Sequence, residues 1–327
     1  MAPEVKVGTI LDGRFRITTL INKGSLSSVF EAVDGQTGRP VAIKAPFPGS
    51  ERDPLYLWRF EREEKIGGAL HHPSVLRIFP MEKKSQPYIV MERVEGTPLS
   101  SLLKTGVPLP VPDALRIAAQ VARALEYLHE HQVVHRDIKP ANVILCSDGT
   151  VRVIDLGLAK AGDGPDPGSG ISRSFGTPAY MPPEQVKGKS GDHRSDIYAL
   201  GAMLYEMITG DPPFRGDDPV TMMVARTLGD PPAPRLANPA ISPQVEEIVL
   251  HSLERDTDKR FASTREFREE LETPDSVRLT GRASRLQAPS PFRLFLQRRR
   301  EVVWAALALL GYFGAILFVA LKWGKRP

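Results

Sequence analysis

The stretch His135-Arg136-Asp137-Ile138-Lys139-Pro140-Ala141-Asn142, followed thirteen residues past Asn142 by Asp155-Leu156-Gly157, constrains this chain more than any other feature of its sequence. Each of these polar loops is bracketed by apolar runs: a predicted helix before the first, Val143–Leu145 after it, and Val151–Ile154 before the second. That helix begins near Val111, where Leu115, Ala118, Ala119, Ala122, Leu125 and Leu128 recur at spacings of three and four. Upstream the period changes. Arg14–Ile21, Ser28–Asp34 and Arg39–Ala45 are short apolar runs divided by Asp34-Gly35 and Thr37-Gly38, and they read as strands. A charged helix is expected over Leu57–Leu70, then strands around Val75–Met81 and Tyr88–Met91. The expectation is an α+β fold of two lobes, a small antiparallel sheet followed by a larger helical part, with a cleft between them.

The end of the chain reads differently. Val302–Leu321 is a run of 20 residues without a charge, enough for about 30 Å of helix, the thickness of a bilayer core. Arg298, Arg299 and Arg300 precede it, Lys322, Lys325 and Arg326 follow it, and Trp304 and Trp323 mark its edges. We expect a transmembrane helix at 302–321 and a short tail at 322–327. Residues 274–301 carry Pro274, Pro289 and Pro291 among Ser, Arg and Gln, which suggests a flexible basic linker with arginines placed to meet anionic lipid. The net charge of +4 divides into +9 over residues 278–327 and −5 over the rest, so the basic balance belongs to the tail and gives no ground for a nucleic-acid partner. The single cysteine, Cys146, excludes a disulfide framework and a multi-thiolate zinc site.

The two polar loops, in this order and spacing, resemble those of eukaryotic-type serine/threonine protein kinases, particularly the bacterial membrane-anchored ones, over about Gly8 to Leu271. The resemblance implies a bilobal kinase domain over 8–273, with an N-lobe at 8–93 and a C-lobe at 94–273. It implies transfer of the γ-phosphate of ATP to protein Ser or Thr hydroxyls, with two Mg²⁺ ions or Mn²⁺ in their place. Asp137 would orient the acceptor hydroxyl and take its proton, Lys139 would neutralise the moving phosphate, and Asn142 and Asp155 would hold the metals. Lys44, in Val41-Ala42-Ile43-Lys44, would be held over the phosphates by Glu63. Glu61 and Glu64 compete with Glu63 by sequence alone; family spacing, ten residues before Pro73, selects Glu63. Ile21, Gly24, Val29, Ala42, Met91, Glu92, Val94 and Ile144 would line the nucleotide pocket, with the backbone of Glu92 and Val94 bonding the adenine edge. Ser169, Ser172, Ser174 and Thr177 are the hydroxyls of the activation segment, the first two preferred as phosphorylation sites. Glu184 would pair with Arg260, and Asp196 would brace the catalytic loop. The apolar run implies a single-pass protein of the cell membrane, the need for ATP places the kinase domain in the cytoplasm, and Gly311 and Ala315 would offer a small-residue contact for a homodimer.

Departures from the family pattern matter too. In Asn22-Lys23-Gly24-Ser25-Leu26-Ser27-Ser28-Val29 only the middle of three glycines is kept, and Leu156 stands where the family usually has Phe. Those two features motivate an alternative, a scaffold that binds nucleotide with little turnover. Gly67 and Gly68 fall in the charged helix, where each costs roughly 1 kcal/mol relative to Ala. A loosely held helix is therefore expected, one that Gly67→Leu would tighten and so activate.

Overall fold

The computed structural model describes residues 4–162, 178–216 and 218–289. The first lobe is built on four strands, β1 (Ile10–Leu11), β2 (Phe15–Lys23), β3 (Ser27–Asp34) and β4 (Pro40–Pro46). Strict alternation along β3 places every second side chain in the core. Helix α1 (Pro54–Gly68) starts at Asp53, whose carboxylate accepts from the amides of Leu55 and Tyr56, with Pro54 in the first turn. Strands β5 (Ile78–Phe79) and β6 (Ile89–Glu92) complete an antiparallel sheet of order β1-β2-β3-β4-β6-β5. One face buries Phe15, Ile17, Phe30, Ile43 and Tyr88. The other buries Ala42, Leu76, Ile78, Ile89 and Met91 together with Phe60 of α1.

A short strand, β7 (Gly96–Pro98), and a one-turn helix, α2 (Leu99–Leu102), lead into α3 (Val111–Glu130). The helical period seen from Val111 buries Ala118, Ala122, Leu125 and Leu128. After β8 (Val133–Val134) come the hairpin β9 (Val143–Cys146) and β10 (Val151–Val153), then β11 (Lys160–Ala161), which pairs with β8. The rest is helical: α4 (Pro183–Val186), α5 (His193–Thr209), α6 (Pro219–Leu228), α7 (Pro234–Ala237), α8 (Pro243–Ser252) and α9 (Thr264–Glu272). Helix α5 is buried almost all round, from Ser195 to Thr209 with one half-buried break at Glu206, and serves as the axis on which α3, α8 and α9 pack.

Two expectations are corrected here. Residues 274–289 are not a free tether. Thr280 and Arg282 bond Glu247 of α8, Arg282 also reaches Glu254 at 3.3 Å, and Gln287 exchanges two hydrogen bonds with Asp230 at 2.8 and 2.9 Å. The charge of Arg282 is met by protein carboxylates rather than left for lipid. Helix α1 is also packed more closely than a loosely held helix implies: a Cβ at Gly67 would meet Ile78 of β5, and one at Gly68 would meet Pro80 just past that strand. The expected transmembrane helix at 302–321 lies outside the described residues; among those described, no helix is long and apolar enough to cross a membrane.

Candidate active site

Strand β4 ends its buried stretch on the cleft side at Lys44, and α1 turns Glu63 toward it. Lys44 Nζ donates to Glu63 Oε1 at 2.9 Å and Oε2 at 2.7 Å. The rivals are accounted for: Glu64 pairs with Lys84, and Glu61 is exposed. Lys44 also stands 3.5 Å from Asp155 Oδ1, so two carboxylates share one ammonium. Burial works against the charge of Lys44, but Asp155 and Glu63 outweigh it and hold the ammonium above its ordinary range. The charge of Lys44 lowers Asp155, whereas burial raises Glu63 to about 7 against the pull of Lys44. Gly157 leaves little room beside this triad: a Cβ there would lie 3.1 Å from Asp155 Oδ1 and 3.3 Å from Glu63 Oε2.

The loop between β8 and β9 holds the second group. Lys139 Nζ donates to Asp137 Oδ2 at 2.6 Å, and Asn142 Nδ2 donates to the same oxygen at 3.0 Å and to the Asp137 carbonyl at 2.8 Å. Burial raises the Asp137 carboxyl, with Lys139 opposing and Asp155 reinforcing the shift. Beneath the loop, Asp196 of α5 accepts from the amides of His135 at 2.8 Å and Arg136 at 2.7 Å, and from His129 Nε2 at 2.8 Å. Burial disfavours its charge, yet these hydrogen bonds keep it below the usual carboxylate range. His135 is fully buried and links Asp137 to β10's exit: its Nδ1 accepts from the Asp137 amide and its Nε2 donates to the Ile154 carbonyl, both at 3.3 Å.

The backbone is strained at two points in this site. Arg136 has φ 67° and Asp155 φ 68°, both in the left-handed region that non-glycine residues seldom enter. An arginine carries no signal of that conformation, whereas Asp is among the side chains that tolerate it best; at Arg136 it accompanies the bond from its amide to Asp196. Gly157 and His135 are further site residues that spacing alone did not single out.

Around the expected nucleotide pocket, Ala42 and Met91 share one buried cluster against which Val29 and Val94 pack. Ile144 lies on β9 beside β7, and Ile21 is 44% exposed on β2. Gly24 closes a tight turn, its amide donating to the Ser27 carbonyl at 2.9 Å, and a Cβ there would come 3.1 Å from that same oxygen. Glu92 spends its side chain on the Arg77 amide at 3.0 Å, while Arg93 ties the linker to Glu31 of β3 at 3.0 Å. Leu156 is buried, in one core with Ile66 and Leu70 of the α1 end. Away from the cleft, Glu184 receives a bidentate pair from Arg260 at 2.8 and 2.7 Å and the hydroxyl of Ser195 at 2.7 Å. Ser169, Ser172, Ser174 and Thr177 lie outside the described residues.

An antiparallel sheet lobe over a helical lobe, with a lysine–carboxylate triad facing an Asp-Lys-Asn loop, is the arrangement of a protein kinase. The family model described as the protein kinase domain matches residues 15–271, and the chain belongs to that family. It is 39% identical over 268 residues to a probable serine/threonine-protein kinase of Streptomyces coelicolor, covering 80% of this chain and 40% of the relative. It is 34% identical over 296 residues to the serine/threonine-protein kinase PknB of Mycolicibacterium smegmatis, covering 85% and 47% respectively. The chain thus spans less than half the length of these two relatives. The crystal structure of the PknI kinase domain of Mycobacterium tuberculosis superposes with a TM-score of 0.66 at 25% identity, over 83% of this chain and all of that one.

Proposed function

We propose that this chain transfers the γ-phosphoryl group of ATP to serine and threonine hydroxyls of proteins. The observation that carries the reading is the triad in which Lys44 bonds both Glu63 and Asp155, since it presents a buried cation and a carboxylate together at the cleft. The donor chemistry suits magnesium. Asp155 keeps a 41% exposed carboxylate, and Asn142 uses its amide nitrogen on Asp137, leaving an oxygen for another partner. These are the hard oxygen donors that Mg²⁺ or Mn²⁺ takes, and the ions would offset the charge of the phosphates. Among the described residues no group of three His, Cys, Asp or Glu could hold a metal alone, which agrees with ions whose remaining ligands come from the nucleotide.

The chain's own residues do the rest. Asp137, fixed by Lys139 and Asn142, is held to receive the hydrogen bond of an acceptor hydroxyl and to accept its proton, and its raised carboxyl favours that acceptance. Lys139, already beside that carboxylate, supplies positive charge where the phosphoryl group arrives. Lys44 steadies the nucleotide phosphates only while Glu63 holds it, so the position of α1 gates the reaction.

The proposal extends to the whole chain. Residues 302–321 anchor the protein in the cell membrane with the kinase domain in the cytoplasm, neighbouring copies phosphorylate Ser169 and Ser172 in trans, and the folded module extends to about residue 289 rather than 273. The test is the full-length chain in nanodiscs of anionic lipid with Mg²⁺ and γ-labelled ATP, beside Asp137→Asn and Asp155→Ala. Label on Ser or Thr that disappears in both variants is the expected result. A parent chain that binds ATP yet incorporates no label would favour the nucleotide-binding scaffold, the reading suggested by the single glycine of the Asn22–Val29 loop.

A further inference from the structure

Tyr56 stands in the first turn of α1, and with Phe60, Glu63 and Gly67 it forms one stripe of that helix, at spacings of four, three and four. Its ring packs on Phe60, 6.0 Å between centroids, and rests against the buried cluster of Ala42, Leu76 and Met91 that Val29 and Val94 also join. These are the side chains around the expected nucleotide pocket. The Tyr56 hydroxyl is buried, and among the described residues it has no hydrogen-bond partner. A phenylalanine would fill nearly the same volume without the cost of a buried, unpaired polar group.

The surroundings of that hydroxyl define the partner it fits. Lys44, Glu63 and Asp155 lie close enough for their charges to act on it, so it shares the cleft with the triad. Burial raises the phenol above its ordinary range, which keeps it a donor, and the Ser27 side chain lies beside it without the geometry of a hydrogen bond. The tip of the Asn22–Val29 loop is tied to the segment that enters α1: the Leu26 carbonyl accepts from the Phe47 amide at 2.9 Å and from the Ser50 hydroxyl at 3.2 Å. The Gly24 amide is spent within the loop on the Ser27 carbonyl, and Lys44 divides its ammonium between two carboxylates. An anion arriving at Lys44 therefore meets a shared cation and a loop amide already in use. The unspent neutral donor beside them is the complement such an anion lacks, and its bond to an ionised oxygen is roughly twice as strong as one between neutral groups.

We propose that Tyr56 is a phosphate-binding residue of the nucleotide site: its buried hydroxyl donates to an oxygen of the triphosphate beside Lys44, a contact that the single-glycine loop does not supply. The inference rests on the kinase reading above. Tyr56 holds the nucleotide and moves no proton.

The test is Tyr56→Phe, which removes one oxygen and keeps the ring, in the full-length chain in nanodiscs. Calorimetry measures the binding of ATP and of adenosine to parent and variant, each with Mg²⁺ present. Tyr56→Phe should weaken ATP about tenfold or more, the range for a hydrogen bond to a charged group, and leave adenosine within about twofold. In turnover, the KM for ATP should rise by a similar factor while the KM for a Ser peptide stays within about twofold. Without nucleotide the Tm of the variant should be no lower than the parent's, since no bond within the chain is lost. Equal changes in ATP and adenosine binding, or no change in either, overturn the assignment. A lower Tm without nucleotide also overturns it, because the hydroxyl would then be bonded inside the chain. So does a parent that binds ATP no more tightly than adenosine. A parent that binds ATP but transfers no phosphate fails the kinase reading alone, and the ratio of ATP to adenosine binding in Tyr56→Phe still decides the role of the hydroxyl.

Discussion

Gly67 of α1 lies so close to Ile78 of β5 that a Cβ on the glycine would stand 2.4 Å from Ile78 Cδ1 and 3.0 Å from Cγ1. A side chain at position 67 would therefore have to displace the Ile78 side chain, and the helix-propensity cost of the glycine accompanies that close approach. Ile78 is itself buried with Leu76, Ile89 and Met91, so it has little room to retreat. The contact lies one turn beyond Glu63, and the spacing between α1 and the sheet sets whether Glu63 reaches Lys44.

Gly67→Leu should accordingly displace α1 and lower phosphoryl transfer rather than raise it. The overpacking is expected to cost about 1–3 kcal/mol, less the roughly 1 kcal/mol regained in helix propensity. Urea denaturation and autophosphorylation of the same preparation check both halves. An activated Gly67→Leu would show that the close approach is dispensable.

Much of this was legible in the sequence because it depends on local periods and fixed spacings. Alternation along Ser28–Asp34 and the three-four spacing from Val111 are properties of neighbours in the chain, and the Asp137, Asn142 and Asp155 arrangement is a matter of two short loops. The purpose of Gly67 was not legible, since its partner Ile78 is a tertiary contact and a glycine carries no sign of what presses on it. The docking of the tail was hidden for a related reason. Thr280, Arg282 and Gln287 look like linker residues until Glu247 and Asp230, 33 to 57 positions earlier, are brought beside them. Nothing local in the sequence signals that Arg226 of α6 meets the Met181 carbonyl.

The Glu184–Arg260 pair yields a stability prediction. The Arg260 side chain is completely buried and also bonds the carbonyls of Glu254 and Arg194, so α4, α5 and the connection between α8 and α9 meet at one guanidinium. Burial opposes the charge on Glu184, but the Arg260 and Ser195 hydrogen bonds hold its carboxyl below the ordinary range. Glu184→Gln leaves an uncompensated buried cation and should cost about 3–5 kcal/mol, read as a drop in denaturant midpoint. Glu184→Gln with Arg260→Met should be less damaging than Glu184→Gln alone.

The boundary of the folded module is directly testable. A chain ending at residue 277 loses the partners of Glu247, which is buried and bonded to Thr280 and Arg282, and loses the Gln287 pair at Asp230. A chain ending at 289 keeps them. The shorter form should be less stable by about 1–3 kcal/mol, the cost of leaving a buried carboxylate without its partners, and its Tm should fall. Equal Tm values would mean that residues 278–289 rest on the surface without contributing.

His251 gives the same docking a pH signature. Its ring packs on Phe261 at 3.9 Å between centroids, and burial together with the charge of Arg282 lowers its pKa to about 4, with Glu247 opposing. The unfolded chain takes up this proton near 6.5 and the folded chain only near 4. The contribution of His251 to stability is therefore complete above pH 6.5 and is lost as pH falls toward 4. Allowing for the part of the ring that meets solvent, the loss amounts to about 1–2 kcal/mol. Arg282→Gln removes a cation and leaves Glu247 facing the imidazole, so the His251 pKa should move upward toward 6.5 and the acid-labile window should narrow. An NMR titration of the His251 ring in parent and variant reads the shift, and an unmoved pKa would place Arg282 away from the imidazole in solution.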